Sequence, residues 1–270
     1  MSYYKFIDLF AGIGGIRLGF EQAFKKNSET VFVSEWDEYA QKTYKANFES
    51  PKEIAGDITK INEKEIPTFD ICLAGFPCQA FSMAGQRKGF DDNYKGICRG
   101  TLFLDVARIC EEHKPKVIFC ENVKGLTIHD KGRTFKIIKS TFENLGYNVF
   151  SQILNSRDFG VPQNRERIYI VCFRKDLEIE EFNFPKSTDS SKTIRDILEE
   201  NPVSAKYYLS TTYIETLKRH KARHEAFPDS YKLVLADTHL YKQFGNSVSV
   251  PVIAAIAGEI KKKLAKSEEK

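Results

Sequence analysis

The stretch Tyr4-Lys5-Phe6-Ile7-Asp8-Leu9-Phe10-Ala11-Gly12-Ile13-Gly14-Gly15 decides the fold, together with the amphipathic run behind it (Ile16, Leu18, Phe20, Ala23, Phe24). Tyr4 to Phe10 predicts a buried strand, the glycines a tight turn, and the run after them a helix. A strand, a glycine turn and a helix N-terminus make a nucleotide-binding unit, because only glycine lets the backbone approach a ligand so closely. The spacing Gly-x-Gly-Gly departs from the Gly-x-Gly-x-x-Gly of dinucleotide enzymes, so the loop alone leaves a nicotinamide enzyme open. A second strand, Thr30 to Ser34, runs into Glu35-Trp36-Asp37. An acid there can bind ribose hydroxyls and an indole can cover an adenine face, although Trp36 also suits simple core packing. A third acid, Asp57 in Gly56-Asp57-Ile58, can meet an adenine amino group.

A second segment is as informative. The apolar run Asp70-Ile71-Cys72-Leu73-Ala74 predicts a strand that Gly75-Phe76-Pro77 stops. Proline cannot donate to a ladder or continue a strand, so the turn is stiff. Cys78 then stands beyond the strand's carboxyl end, where ligands bind in open α/β sheets, whereas free cysteine is ordinarily buried and inert. Further strands are predicted at Val117–Glu121, Asn148–Leu154 and Arg167–Phe173. Helices are predicted at Leu102–Glu112, Phe135–Leu145 and, with Pro251 in its first turn, Val250–Leu264. Such alternation gives a parallel sheet with helices on both faces.

Composition bounds the class. The 270 residues, 41% hydrophobic with mean hydropathy −0.40, fit one large α/β domain with a smaller lobe. No stretch approaches the roughly 20 apolar residues of a membrane span, and the N-terminus shows no signal-peptide core. The six cysteines are scattered without Cys-x-x-Cys spacing. They argue for reduced thiols in a cytoplasmic protein rather than disulfides or a metal site. A net charge of +4 allows nucleic-acid binding without requiring it.

Together these segments resemble the cytosine-C5 DNA methyltransferase family, in its small bacterial restriction–modification form. The carriers are Asp8 to Gly15, Glu35-Trp36-Asp37, Gly56-Asp57-Ile58, and Pro77-Cys78-Gln79 with Phe81-Ser82. Downstream come Glu121-Asn122-Val123, Gln163-Asn164-Arg165-Glu166-Arg167 and Gly245-Asn246-Ser247-Val248. The resemblance implies a class I S-adenosylmethionine-dependent methyltransferase fold, a Rossmann-like mixed seven-stranded sheet with helices on both faces. It implies S-adenosyl-L-methionine held by Phe10, Ala11, Gly12, Ile13, Gly14, Gly15, Glu35, Trp36, Asp57, Ile58, Pro77, Leu102, Asn246 and Ser247. The implied substrate is double-stranded DNA with a flipped cytosine.

The residue chemistry agrees. C5 of cytosine is a poor nucleophile, and a thiolate adding at C6 turns the ring into an enamine that can attack a methyl sulfonium. Cys78 is the expected nucleophile. Glu121 is expected to hold the base edge and favour protonation at N3, which needs a carboxyl raised by burial. Arg165 is expected near the base or a phosphate, Arg167 as an anchor of loop or backbone, and Phe10 facing the sulfonium. A stacked cytosine is out of reach, so the base must flip. Gln79 to Asp92, polar and hinged by glycines, is the expected closing loop, with Gln79, Ser82, Arg87 and Lys88 toward DNA.

The chain also departs from the family. Only 68 residues separate Arg174 from Gln243, where family members carry a target-recognition domain and its supporting helix. Residues 1–184 with 240–270 are expected to form the catalytic domain, and 185–239 a remnant of the small lobe. Glu181–Pro202 reads as linker with a short helix and Thr212–Ala226 as a basic helix-like stretch. Phe227 to Tyr231 resembles the end of the support block, so Ala226-Phe227 marks a seam. An engineered core, one half of a split enzyme with a separate recognition subunit, and a natural truncation all remain open. So do tRNA cytosine methylation and a cofactor-binding core inactive without a partner.

Overall fold

The structure is a computed structural model that describes residues 2–49, 51, 53–77, 93–94, 97–98, 102–188, 191–197, 227, 230–235 and 237–269. Its main sheet takes β1 (Tyr4–Leu9), β2 (Ser28–Ser34), β3 (Ile71–Ala74), β6 (Val117–Val123), β7 (Tyr147–Asn155) and β8 (Glu166–Arg174). The order is β2-β1-β3-β6-β8-β7. All contacts are parallel except those of β8, which runs against β6 and β7. Two short strands, β4 (Asn93–Tyr94) and β5 (Ile97–Cys98), pair antiparallel apart from this sheet.

The expected seventh strand is reduced to one residue. Ala55 bridges Ser34 on the outer side of β2 through Ala55 N–H to Val33 O (2.8 Å) and Glu35 N–H to Ala55 O (2.9 Å). Gly56 follows at once, and Asp57 opens a short 3-10 turn over Ile58–Lys60, so no ladder extends. β1 likewise ends one residue earlier than expected, because Phe10 turns into the left-handed region at φ 55°.

The central strands bury both faces, as parallel strands covered by helices do. Ile7, Leu9, Cys72, Ile118 and Cys120 point toward α3 (Leu102–His113) and α4 (Arg133–Asn144), meeting Val106, Ile109 and Phe142. The alternate residues Phe6, Ile71, Leu73 and Phe119 meet α1 (Gly15–Phe24) and α6 (Val250–Glu268), through Phe20, Phe24, Val252 and Ile256. Burial on both faces makes these strands continuous apolar runs in the sequence. α1 and α6 lie so close that a Cβ on Gly19 would stand 2.6 Å from Ile253. Cys72, Cys110, Cys120 and Cys172 are free and buried, and among the described residues no group could hold a metal. No described helix is long and apolar enough to cross a membrane.

Candidate active site

At the carboxyl ends of β1 and β2 the chain builds a cradle from backbone. Ala11 N–H donates to Ser34 O (3.1 Å), fastening the turn to β2. Gly12, at φ 54°, points its N–H at Glu35 Oε2 (2.7 Å), while Glu35 Oε1 accepts from Asp37 N–H (2.8 Å). Burial pushes the Glu35 carboxyl up, and the amides of Asp37 and Gly12 oppose that shift. The Trp36 amide is a third donor to the same carboxyl, whose two oxygens offer about four acceptor sites in all. Among the described residues a Cβ on Gly12 would meet nothing within 4 Å, so on that side the turn borders space they leave open. Gly14 and Gly15 are glycine for the opposite reason: a Cβ would stand 2.3 Å from Phe48 and 2.8 Å from Val248.

Trp36 is 48% exposed and is not a core residue. It stands beside Glu35 with Tyr39, also exposed, at the start of α2 (Glu38–Asn47). Asp57 Oδ1 accepts from Thr59 N–H (3.1 Å) and Thr59 Oγ1–H (2.8 Å), so this acid also fixes its own turn. Ile58 packs into the core beneath it. Open space at Gly12, a buried acid and an exposed indole fit an adenosine-bearing group.

The second half of the site stands at β6 and β8. Asn122 Nδ2–H donates to Phe76 O (3.3 Å), tying the turn before Pro77 to β6. Cys78, Gln79, Ser82, Arg87 and Lys88 lie outside the described residues. Glu121 is buried and sits opposite Tyr169 in the β6–β8 ladder, with Arg167 opposite Val123. That register puts Glu121 and Arg167 diagonally on one face, where Arg167 Nε lies 3.1 Å from Glu121 Oε1. Burial pushes the Glu121 carboxyl up, against the charges of Arg167 and, less strongly, Arg165.

Arg165 is buried and donates from Nη2 to Ser247 O, while its own N–H donates to Asn155 Oδ1 (3.1 Å). It therefore ties the β7–β8 connection to the turn between α5 (Asp237–Asn246) and α6. Ser247 and Val248 of that turn pack on Gly15. Arg167 anchors backbone as expected, donating from Nη1 to Glu166 O (2.9 Å), and in addition meets the acid, while Arg165 is committed to the C-terminal turn. The sequence carried both arginines but not the register that chooses between them. Leu102 is buried at the head of α3, and Asn246 is exposed at the end of α5. Phe227 packs on Tyr231 and Phe244, and the Tyr231 hydroxyl donates to Ile13 O. The polar groove along Asn148, Lys175, Glu178 and Glu180 lies at the opposite sheet edge and holds none of these residues.

A sheet in which only β8 is reversed, with a glycine turn over β1 and an acid closing β2, defines a class I S-adenosylmethionine-dependent methyltransferase fold. Solved structures agree at the level of fold. The S. pombe Dnmt2 methyltransferase superposes with TM-score 0.72 at 17% identity, covering 97% of this chain and 99% of that one. The Entamoeba histolytica methyltransferase EhMeth gives 0.73 at 21%, covering 100% of both.

Sequence is more specific. The profile of the family described as C-5 cytosine-specific DNA methylase matches residues 4–226 and 218–262. The type II methyltransferase M.SsoII of Shigella sonnei is 44% identical over 311 residues, covering 95% of this chain and 80% of the relative. M.HhaI of Haemophilus parahaemolyticus is 39% identical over 316 residues, covering 95% and 94%. The chain belongs to the C-5 cytosine-specific DNA methylase family.

Proposed function

We propose that this chain transfers a methyl group from S-adenosylmethionine to C5 of cytosine in DNA, through a covalent bond between Cys78 and C6. The observation that carries the reading is the buried Glu121, raised by desolvation and paired with Arg167, at the same carboxyl end of the parallel strands as the Gly12–Glu35 cradle. The cofactor, when bound, supplies an electrophilic methyl on a sulfonium. Phe10, Gly12, Glu35 and Trp36 are the residues that would hold it, Glu35 by ribose hydroxyls and Trp36 by the adenine face. Cys78 adds at C6 as thiolate, and Glu121 holds the proton at N3, so the ring's electrons shift toward C5. C5 would then take up the methyl, with S-adenosylhomocysteine as the leaving product, and loss of the C5 proton to solvent base together with return of the N3 proton to Glu121 lets the thiolate leave, restoring the aromatic ring and the free enzyme.

A duplex carrying 5-fluorocytosine tests this, because fluorine at C5 blocks the final elimination. With S-adenosylmethionine present, wild type should yield a denaturant-stable protein–DNA adduct. Cys78→Ser should yield none, while Cys72→Ala and Cys120→Ala should retain it, since those thiols are buried in the sheet. An adduct that survives Cys78→Ser overturns the assignment. Unlabelled tRNA as competitor identifies the preferred nucleic acid.

The matched stretches in the relatives exceed the 270 residues of this chain, so those relatives carry segments it lacks. This supports a reduced recognition lobe over 185–239. Bases are read by side chains in a groove, whereas phosphate contacts carry no sequence information. Weak, salt-sensitive DNA binding with little sequence preference is the expected result. Bisulfite sequencing that shows efficient methylation of one short motif would refute it.

A further inference from the structure

Asp8 is the one acid in β1 and, unlike the exposed Lys5 of the same strand, is only 1% exposed. The Tyr44 hydroxyl, from α2, donates to Asp8 Oδ2 (3.1 Å), and Arg17 Nη1, from α1, donates to the same hydroxyl (3.1 Å). Arg17 is held in turn by Glu21 (2.6 Å) and by the face of Phe48, 4.3 Å away. The Tyr44 ring also walls Gly14, whose Cβ would stand 3.0 Å from it. One hydroxyl thus joins β1, α1 and α2, the three elements that carry the glycine turn and Glu35-Trp36-Asp37. Asp8 Oδ1 has no partner among the described residues.

We propose that Asp8 and Tyr44 are positioning residues for the cofactor cradle, holding it in shape while Asp8 carries a proton and loosening it when Asp8 ionises. The proposal rests on the cofactor reading above. An ionised Asp8 would leave a buried carboxylate oxygen without a donor, which costs far more than a neutral one. The ways to relieve it are to admit water or to draw a donor across, and either displaces Tyr44 from Gly14. Burial pushes Asp8 up to about 7; the Arg17 charge and Tyr44 hydroxyl lower it, and Glu35 and Glu21 raise it. The other titratable groups facing Asp8 are Cys72 from β3 and Tyr231. Neutral pH therefore lies where the proton is gained and lost.

Titration calorimetry with S-adenosylhomocysteine, which lacks the sulfonium charge, reads the cradle without turnover. Wild type should bind several-fold more weakly at pH 8 than at pH 6. Asp8→Asn, a neutral isostere, should hold the low-pH affinity at both. Tyr44→Phe, which keeps the ring and loses the hydroxyl, should weaken binding at pH 6 by about tenfold, the size of one good hydrogen bond. Should Asp8→Asn not fold, Tyr44→Phe and Arg17→Gln decide the matter. Both remove a partner that lowers Asp8, so both should move the binding midpoint to higher pH. Wild-type affinity that is flat from pH 6 to 8, or an unchanged pH profile in Asp8→Asn, overturns the proposal. Failure of wild type to bind S-adenosylhomocysteine at any pH overturns the cofactor reading itself.

Discussion

Between β1 and β2 the site is built from backbone amides, whereas between β6 and β8 it is built from side chains that meet across a ladder. In the first region Gly12 and Asp37 present N–H groups to one carboxylate, and the open side of Gly12 leaves room for a ligand. In the second, Glu121 and Arg167 come from strands whose register alone brings them to 3.1 Å. The first region needs little more than glycines and an acid at the right point in a βαβ unit. The second needs the whole sheet, because a slip of one residue would send Arg167 to the opposite face. Binding and chemistry should therefore separate under mutation.

The largest separation is expected at Glu121. Glu121→Gln keeps shape and removes the carboxyl, so kcat should fall by about 10²–10⁴, the range for a positioned acid–base group. Affinity for S-adenosylhomocysteine should stay unchanged, since the cradle contacts lie in the other half of the site. Stopped or quenched single-turnover assays beside calorimetry check both. A Glu121→Gln enzyme that loses cofactor affinity instead would erase the division between the two regions.

Glu35→Ala should produce the reverse pattern. It would remove the proposed ribose contacts and also releases Gly12 N–H and Asp37 N–H, and hydrogen bonds to charged groups are worth about 1.5–3 kcal/mol. Cofactor affinity should fall by at least tenfold, with single-turnover chemistry at saturating cofactor largely retained. Unchanged affinity would remove Glu35 from the ribose site.

A smaller effect separates two glycines of the same turn. Gly14→Ala forces a Cβ to 2.3 Å from Phe48 at φ 85°, and overpacking of this kind costs about 1–3 kcal/mol of stability. Gly12→Ala meets no described atom within 4 Å, so it should cost less stability while weakening cofactor binding more. Denaturant melts and calorimetry on both variants show whether the open side of Gly12 is ligand space. Equal loss of binding in both would argue that it is not.

What the sequence disclosed follows the same division. The strands of the sheet were legible because Ile7, Ile71, Val117 and Val171 sit in runs buried on both faces. The glycine turn was legible because its chemistry is local. The seventh strand was not, since whether Ala55 extends a ladder depends on the Gly56–Asp57 turn closing behind it. Nor was the division of labour between Arg165 and Arg167. That is fixed by the β6–β8 pairing and by Ser247, which lies 82 residues beyond Arg165. Asp8 gave a visible signal, a lone acid between Ile7 and Leu9, but its partners Tyr44 and Arg17 stand on two other elements.

The finest distinction lies in how Arg167 sets the proton on Glu121. Burial raises the Glu121 carboxyl, and the Arg167 guanidinium works against that shift. Arg167→Gln removes the opposing charge, so Glu121 should hold its proton to higher pH than in wild type. If the protonated carboxyl is the form that serves N3, the fall of kcat on the alkaline side should move upward in pH in this variant. Arg167→Lys keeps the charge and should leave that limb nearer its wild-type position, although lysine lacks the planar fork that arginine offers a carboxylate. Arg165→Gln should move it less, because its Nη2 is committed to Ser247 O and its charge ranks behind that of Arg167 at Glu121. Single-turnover rates across the pH range, at saturating cofactor, provide the comparison. An acid-side limb that moves upward in Arg167→Gln, with the alkaline side unmoved, would mean that the ionised carboxylate is the working form. Arg167 would then serve to keep the proton off.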